Sequence, residues 1–69
     1  MIVKKDDILV NLHSVSSVRK RALSIVFLGN KNDNVTFEYL SERRCASDYN
    51  KLLSWLYSDS RFLDLDIVE

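Results

Sequence analysis

Sixty-nine residues permit a single domain, and ten basic and ten acidic residues leave no formal net charge. This balance excludes the strongly basic character of proteins that bind polyanions through charge alone. A lone cysteine excludes a disulfide within the chain and suits a reducing compartment. The chain can therefore form only one small core, and a core of this size often gains buried area by self-association.

The N-terminal part reads as short strands. Residues 1–4 form either a first strand or a ragged end, and residues 8–12 alternate apolar side chains along one face. Residues 15–21 are extended in pattern, and their three consecutive basic residues suit an edge strand, because charge there discourages pairing with another chain. The N-terminus lacks the apolar run of a signal peptide, and no segment approaches the roughly 18 apolar residues that span a bilayer. We expect a soluble cytoplasmic protein.

A polar loop, residues 29–34, joins two alternating stretches, residues 22–28 and 35–40. Its Gly, Asn and Asp residues tolerate positive φ or close turns with their own side chains. The pattern predicts a β-hairpin with one covered face, but the loop is longer than a two-residue turn, so it leaves the register open. The residues predicted on the covered face are Leu23, Ile25, Phe27, Val35, Phe37 and Tyr39.

An amphipathic helix is predicted over residues 41–57. Ser41 stands where a hydroxyl caps a helix, and Glu42 suits the positive end of the helix dipole. Trp55 falls about 60° outside the apolar stripe at 100° per residue. The stripe predicted to pack on the hairpin consists of Cys45, Tyr49, Leu52, Leu53 and Leu56.

The C-terminal tail, residues 61–68, alternates apolar residues with aspartates, which fits a short strand or a second helix. The predicted fold is α+β, with residues 1–69 as one domain. It consists of an antiparallel β-meander of three to four strands over 8–40, the helix 41–57 packed on one of its faces, and the tail.

One helix cannot cover both faces of a sheet, so apolar surface is left over. Such a patch on a small protein marks an interface, and interface cores favour aromatic residues. Either the tail folds back over its own chain, or this surface forms a contact with a second copy or another protein, for example by strand addition. The residues predicted at a dimer or partner interface are Val26, Leu28, Leu40, Trp55, Phe62, Leu63, Leu65 and Ile67.

Basic residues give an alternative, nucleic-acid binding, because Lys and Arg neutralise phosphates and release counterions. A solvated edge strand explains them better, since residues 19–21 alternate between faces. The residues that would carry this alternative are Arg19, Lys20, Arg21, Arg43 and Arg44.

Catalytic, cofactor and metal sites are not predicted. His13 has no partner near in sequence, and Cys45 lies on the apolar stripe, which favours packing over reactivity. Asp64 and Asp66 are typical of a solvated acidic face. The single glycine excludes the usual phosphate-binding loops. The sequence therefore predicts a protein that is not an enzyme and acts by binding.

Short motifs follow one another along the chain in the order Val10-Asn11-Leu12, Val15 and Val18, Ile25-Val26-Phe27, Val35-Thr36-Phe37-Glu38-Tyr39, Ser41-Glu42 and Tyr49-Asn50-Lys51-Leu52-Leu53. This order resembles small, largely uncharacterised phage and bacterial proteins built as a meander followed by a helix. The resemblance covers residues 8–57 and concerns core and turn positions, so it carries no functional residue across. Some small phage proteins bind and inhibit a host protein, and the resemblance implies such a regulator or inhibitor here.

Overall fold

The computed structural model describes residues 1–29 and 34–66 and shows an α+β protein, the class that the sequence predicts. A single turn of 3-10 helix, Leu12–Ser14, separates the second strand from the third. In chain order the other elements are β1 (Ile2–Lys5), β2 (Ile8–Asn11), β3 (Val15–Lys20), β4 (Ser24–Gly29), β5 (Asn34–Glu38), α1 (Glu42–Leu56) and β6 (Phe62–Asp64).

The strands form two three-stranded sheets, which we call the first sheet (β2-β1-β6) and the second sheet (β3-β4-β5). The expected single sheet over residues 8–40 is therefore wrong, because β2 pairs with β1 and not with β3. Asp6 allows the tight β1–β2 turn by adopting φ 54°, a region in which Asp is enriched. After β2, the side chain of Asn11 accepts a hydrogen bond from the His13 N–H, and the 3-10 turn that begins there separates the two sheets.

The second sheet contains the predicted hairpin. Leu28 pairs with Asn34 and Ile25 pairs with Phe37, which fixes the register that the sequence leaves open. Ile25, Phe27 and Phe37 are fully buried on one face, as predicted. The rings of Phe27 and Phe37 meet edge to face with centroids 4.8 Å apart, a favourable geometry for aromatic pairs. Leu23 precedes β4 and stays 46% exposed, so its predicted burial is wrong.

The helix begins as predicted but buries a different face. Ser41 is the N-cap, and its hydroxyl accepts a hydrogen bond from the Arg44 N–H at 3.3 Å. Cys45 and Leu52 are buried as expected, whereas Leu53 and Leu56 are 40% and 41% exposed. The helix face that packs in the core is Cys45, Asp48, Leu52 and Trp55.

The tail folds onto its own chain as β6, a short strand parallel to β1. The Ile2 N–H donates to the Arg61 carbonyl at 2.8 Å, and the Leu65 N–H donates to the Lys4 carbonyl at 2.9 Å. Leu65 is fully buried as a result. Residues 67–69, which include the predicted interface residue Ile67, lie outside the described residues.

Ionic contacts hold the end of the tail beside the β1–β2 turn. The Lys4 ammonium donates to the Asp66 carboxylate, which also accepts from the Asp6 N–H at 2.9 Å. The Lys4 hydrogen bond, helped by the Asp6 N–H, lowers the pKa of Asp66. The same hydrogen bond raises the pKa of Lys4.

Both sheets and the helix contribute to one core. Partly buried side chains at its margin include Leu12, Val15 and Val18. The buried apolar residues of the core are Val3, Val10, Ile25, Phe27, Phe37, Tyr39, Cys45, Leu52, Trp55 and Leu65.

Candidate protein-binding surface

Helix α1 has an apolar side wider than the part that the core covers. At 100° per residue, Trp55, Leu52 and Cys45 lie within about 80° of one another on the buried side. Leu56, Tyr49 and Leu53 continue the same apolar side over roughly the next 80°. Leu53 and Leu56 are exposed and Tyr49 is partly buried, so about half of this apolar side is open to solvent.

Strand β3 supplies a second apolar wall next to this open half. Val15 and Val18 are three residues apart, so a regular strand would direct them to opposite faces. The pairing with β4 shifts between Val15 and Ser17, which is a β-bulge centred on Ser16. A bulge re-aims the side chains that follow it. As a result, both valines line one groove with Leu56.

The groove has a volume of about 180 Å³, with the buried Leu52 among its lining residues. A cavity of roughly 150 Å³ holds a benzene molecule, so the groove has room for one large apolar side chain. Ser16 and Ser17 supply its polar lining. We use the name groove surface for six residues: Leu12, Val15, Val18, Tyr49, Leu53 and Leu56.

The groove surface differs from the interface that the sequence predicts. Trp55 and Leu65 are 5% and 0% exposed, so both belong to the core and cannot present a free surface in this protomer. Leu63 is partly buried against the core. Sequence reasoning missed Val15 and Val18 because a bulge is invisible in a period-two pattern.

The other predicted interface residues are separated on the surface. Val26 and Leu28 lie on the outer face of β4, half-buried between polar neighbours on β3 and β5. Leu40 is fully exposed just after β5. Phe62, which is 50% exposed, pairs with Ile2 on the other sheet. The structure thus does not bring these four residues together into one patch.

A buried carboxylate explains the helix face that the sequence analysis misassigned. Asp48 is fully buried, and it accepts hydrogen bonds from the Tyr39 hydroxyl at 2.9 Å and from Arg44 Nε at 3.3 Å. Arg44 also donates to the Leu65 carbonyl at 3.2 Å, which connects the helix to the tail. Burial, together with the hydrogen bond to Asp48, raises the pKa of Tyr39. This cluster orients α1 and leaves its Leu53 side outward.

Of the basic residues in the alternative prediction, Arg43 and Arg44 lie in the first turn of α1 and Arg21 lies near them. The Cys45 thiol donates to the Arg21 carbonyl at 3.6 Å, so the end of β3 approaches the first turn of α1. Arg19, Lys20, Arg21 and Arg43 are exposed. Arg44 is held by Asp48 and the Leu65 carbonyl, as described above. Burial raises the pKa of Cys45, which disfavours its reactive thiolate.

Within residues 1–29 and 34–66, no three His, Cys, Asp or Glu side chains are grouped so as to hold a metal ion. The same residues include no helix of the length and hydropathy needed to cross a membrane. No protein-family model, curated protein or solved structure matches the chain. Evidence on function therefore comes from the geometry of the chain's own residues.

Proposed function

We propose that the protein is a non-enzymatic protein-binding module that acts as a homodimer and regulates or inhibits another protein through its groove surface. The observation that carries this proposal is the open apolar side of α1, continuous with the groove that Val15, Val18 and Leu56 line. Exposed apolar patches on small soluble proteins mark interaction sites.

The shape of the groove favours a partner with one protruding apolar side chain. Binding energy in protein interfaces concentrates in a few anchors that fill desolvated pockets. A leucine or aromatic side chain of the partner would enter the groove, and its neighbouring apolar residues would cover Tyr49 and Leu53. An amphipathic helix of the partner, which presents apolar residues at i, i+4 and i+7, supplies this arrangement.

Site-specific photo-crosslinking in the native cell tests the proposal. A photoreactive phenylalanine analogue placed at Leu56 should capture a discrete partner protein. The same analogue at Ser47, an exposed position on the opposite side of α1, should not. Introducing Leu53→Glu into the Leu56 probe should abolish the captured band, because a charge would then have to be desolvated in the interface.

A charge at an exposed helix position outside the groove surface gives the matched control. Ser54→Glu adds the same charge to the helix beside Leu53, at a position that is also exposed. It should retain capture by the Leu56 probe. Capture that is equal from Leu56 and Ser47, or that Leu53→Glu leaves intact, would contradict the groove surface as the binding site.

Nucleic-acid binding is the second candidate, and the proximity of Arg21 to the first turn of α1 favours it. The exposed basic side chains there could neutralise phosphates, whereas Arg44 is engaged within the protein. Gel retardation of DNA and RNA should then fall steeply as salt increases, and Arg19→Glu with Arg43→Glu should abolish it. The absence of retardation at low salt would reject this candidate.

A further inference from the structure

The two sheets end in four edge strands, which differ in how well they are protected from pairing with another chain. Strand β3 carries the bulge at Ser16 and the exposed charges of Arg19 and Lys20, which are devices that block edge-to-edge pairing. Strands β2 and β6 have only four and three residues. Strand β5 has five residues and a regular register with β4, without proline, and Glu38 at its end is its one charged residue.

The backbone N–H and C=O groups of β5 point alternately toward β4 and toward the open edge of the sheet. The Tyr39 N–H donates to the Leu23 carbonyl at 2.8 Å, so the odd-numbered residues of this segment face β4. The N–H and C=O groups of Asn34, Thr36 and Glu38 therefore point to the open edge. Within the described residues, no side chain hydrogen-bonds to these three residues, and no further strand pairs with β5.

This edge is complementary to itself. In an antiparallel pair of two copies related by a two-fold axis at Thr36, each Thr36 lies opposite the other, and Glu38 lies opposite Asn34 of the second copy. The three pairs that face the edge would exchange about six backbone hydrogen bonds. The negative charge of Glu38 meets an amide that can donate to it, so like charges do not oppose one another.

Side chains on both faces support the same register. On the inner face, the partly buried Val35 would lie opposite Phe37 of the second copy, and the pairing would cover more of Val35, since Phe37 is already fully buried in its own protomer. On the outer face, Val26 and Thr36 are register partners. In the dimer, Val26 and Thr36 of one copy would form a continuous cross-strand row with Thr36 and Val26 of the second copy. The two second sheets would join as one six-stranded sheet.

We infer that β5 is the homodimerisation edge of the protein, and that its occupant is β5 of a second copy paired antiparallel about Thr36. This assignment rests on the self-association part of the proposed function and is independent of what binds the groove surface. It leaves the groove surface free in both copies, because that surface lies on the 3-10 turn, β3 and α1.

Sedimentation equilibrium of the full chain at about 10 to 300 µM tests the assignment. The wild type should approach twice its monomer mass of 8.1 kDa. Thr36→Lys places two positive charges opposite each other at the axis, so we expect its dissociation constant to rise at least tenfold. Ser47→Lys is the matched control. It adds the same charge to an exposed position on the side of α1 opposite the groove surface, and it should leave the mass unchanged.

A complementary pair of variants separates loss of pairing from loss of folding. Thr36→Glu should be monomeric alone for the same reason as Thr36→Lys, and an equimolar mixture of the two should regain the dimer mass as a heterodimer. This recovery requires that residue 36 faces residue 36 across the interface. Circular dichroism should show the same helix content in both variants and the wild type.

Three results would overturn the assignment. A wild type that remains a monomer at 300 µM would reject self-association. Photo-crosslinking at Leu56 would still test, independently, whether the groove surface binds another protein. A dimer that persists in the Thr36→Lys variant would show that the interface is not at β5. Dissociation by Leu56→Glu but not by Thr36→Lys would show the same. A mixture of Thr36→Lys and Thr36→Glu that stays monomeric would also reject the two-fold register.

Discussion

The two halves of the apolar side of α1 differ in what they do for the protein. The buried half, around Leu52, packs against both sheets and is held in place by the Asp48 cluster. The open half, around Leu53 and Leu56, has the same residue type but 40% or more of each side chain remains exposed. Side-chain chemistry alone therefore does not separate core from surface in this helix. The comparison teaches that one charged residue can decide which apolar half is buried.

The largest difference should appear when the same change is made in each half. Leu52→Ala removes a fully buried side chain and should lower the free energy of unfolding by roughly 3 to 4 kcal/mol. Leu56→Ala should lower it by less than about 1 kcal/mol, because this side chain is already partly hydrated. Urea denaturation followed by circular dichroism measures both. Equal losses would show that the helix buries its two halves equally.

The Asp48 cluster should have the next largest effect. Asp48→Ala leaves the buried Tyr39 hydroxyl without its acceptor and removes a charged hydrogen bond of Arg44, and we expect a loss of about 2 to 3 kcal/mol in unfolding free energy. Asp59→Ala removes a carboxylate from an exposed position and is the control. A loss no greater than that of Asp59→Ala would show that the cluster does not orient the helix.

The tail supplies a pH-dependent contribution through the ion pair of Asp66 with Lys4 beside the β1–β2 turn. The pKa of Asp66 is lowered by Lys4 from its ordinary value of 3.8, so its stabilising contribution is present above that pH and is lost as pH falls through the lower, folded value. The raised pKa of Lys4 acts at alkaline pH. Its stabilising contribution is present below its ordinary value of 10.5 and is lost as pH rises through the higher, folded value.

Asp66→Asn should therefore reduce the unfolding free energy at pH 7 and flatten its decline in acid. Denaturation curves between pH 2 and pH 7 measure this dependence, with Asp59→Asn as the control. An acid decline that is equally steep in wild type and Asp66→Asn would indicate that this ion pair does not form.

The smallest effect concerns Trp55, whose indole Nε1 is buried without a hydrogen-bond partner among the described residues. Trp55→Phe loses apolar contact area but also removes this unpaired donor, so the two effects offset each other. We expect a change of about 1 kcal/mol or less in unfolding free energy. A loss of several kcal/mol would indicate that Nε1 has a partner in solution.

Much of the fold follows from the sequence because periodicity reports local structure. The hairpin, the cap at Ser41 and the helix are all set by neighbouring residues. The division into two sheets is not predictable in this way, since it depends on where β1 finds its partners: β2 nearby and β6 some sixty residues away. A parallel pairing with such a long connection leaves no local signal.

The position of the candidate site was not predicted, since none of the six residues of the groove surface is among the predicted interface residues. Unpaired apolar surface was expected because one helix cannot cover two sheet faces. Its position could not be derived, because the predicted apolar stripe leaves out the charged Asp48 and places Trp55 outside it, although both residues lie beside Leu52 on the buried face. The bulge at Ser16, which turns Val15 and Val18 into one groove, likewise depends on the register with β4.

The central claim is that the open half of α1 exists to bind another protein. Photo-crosslinking from Leu56 in the native cell tests it most directly, with the Ser47 probe as control. We predict one captured partner from Leu56, none from Ser47, and loss of the captured partner with Leu53→Glu. The same capture from both probes, or none from either, would contradict the claim.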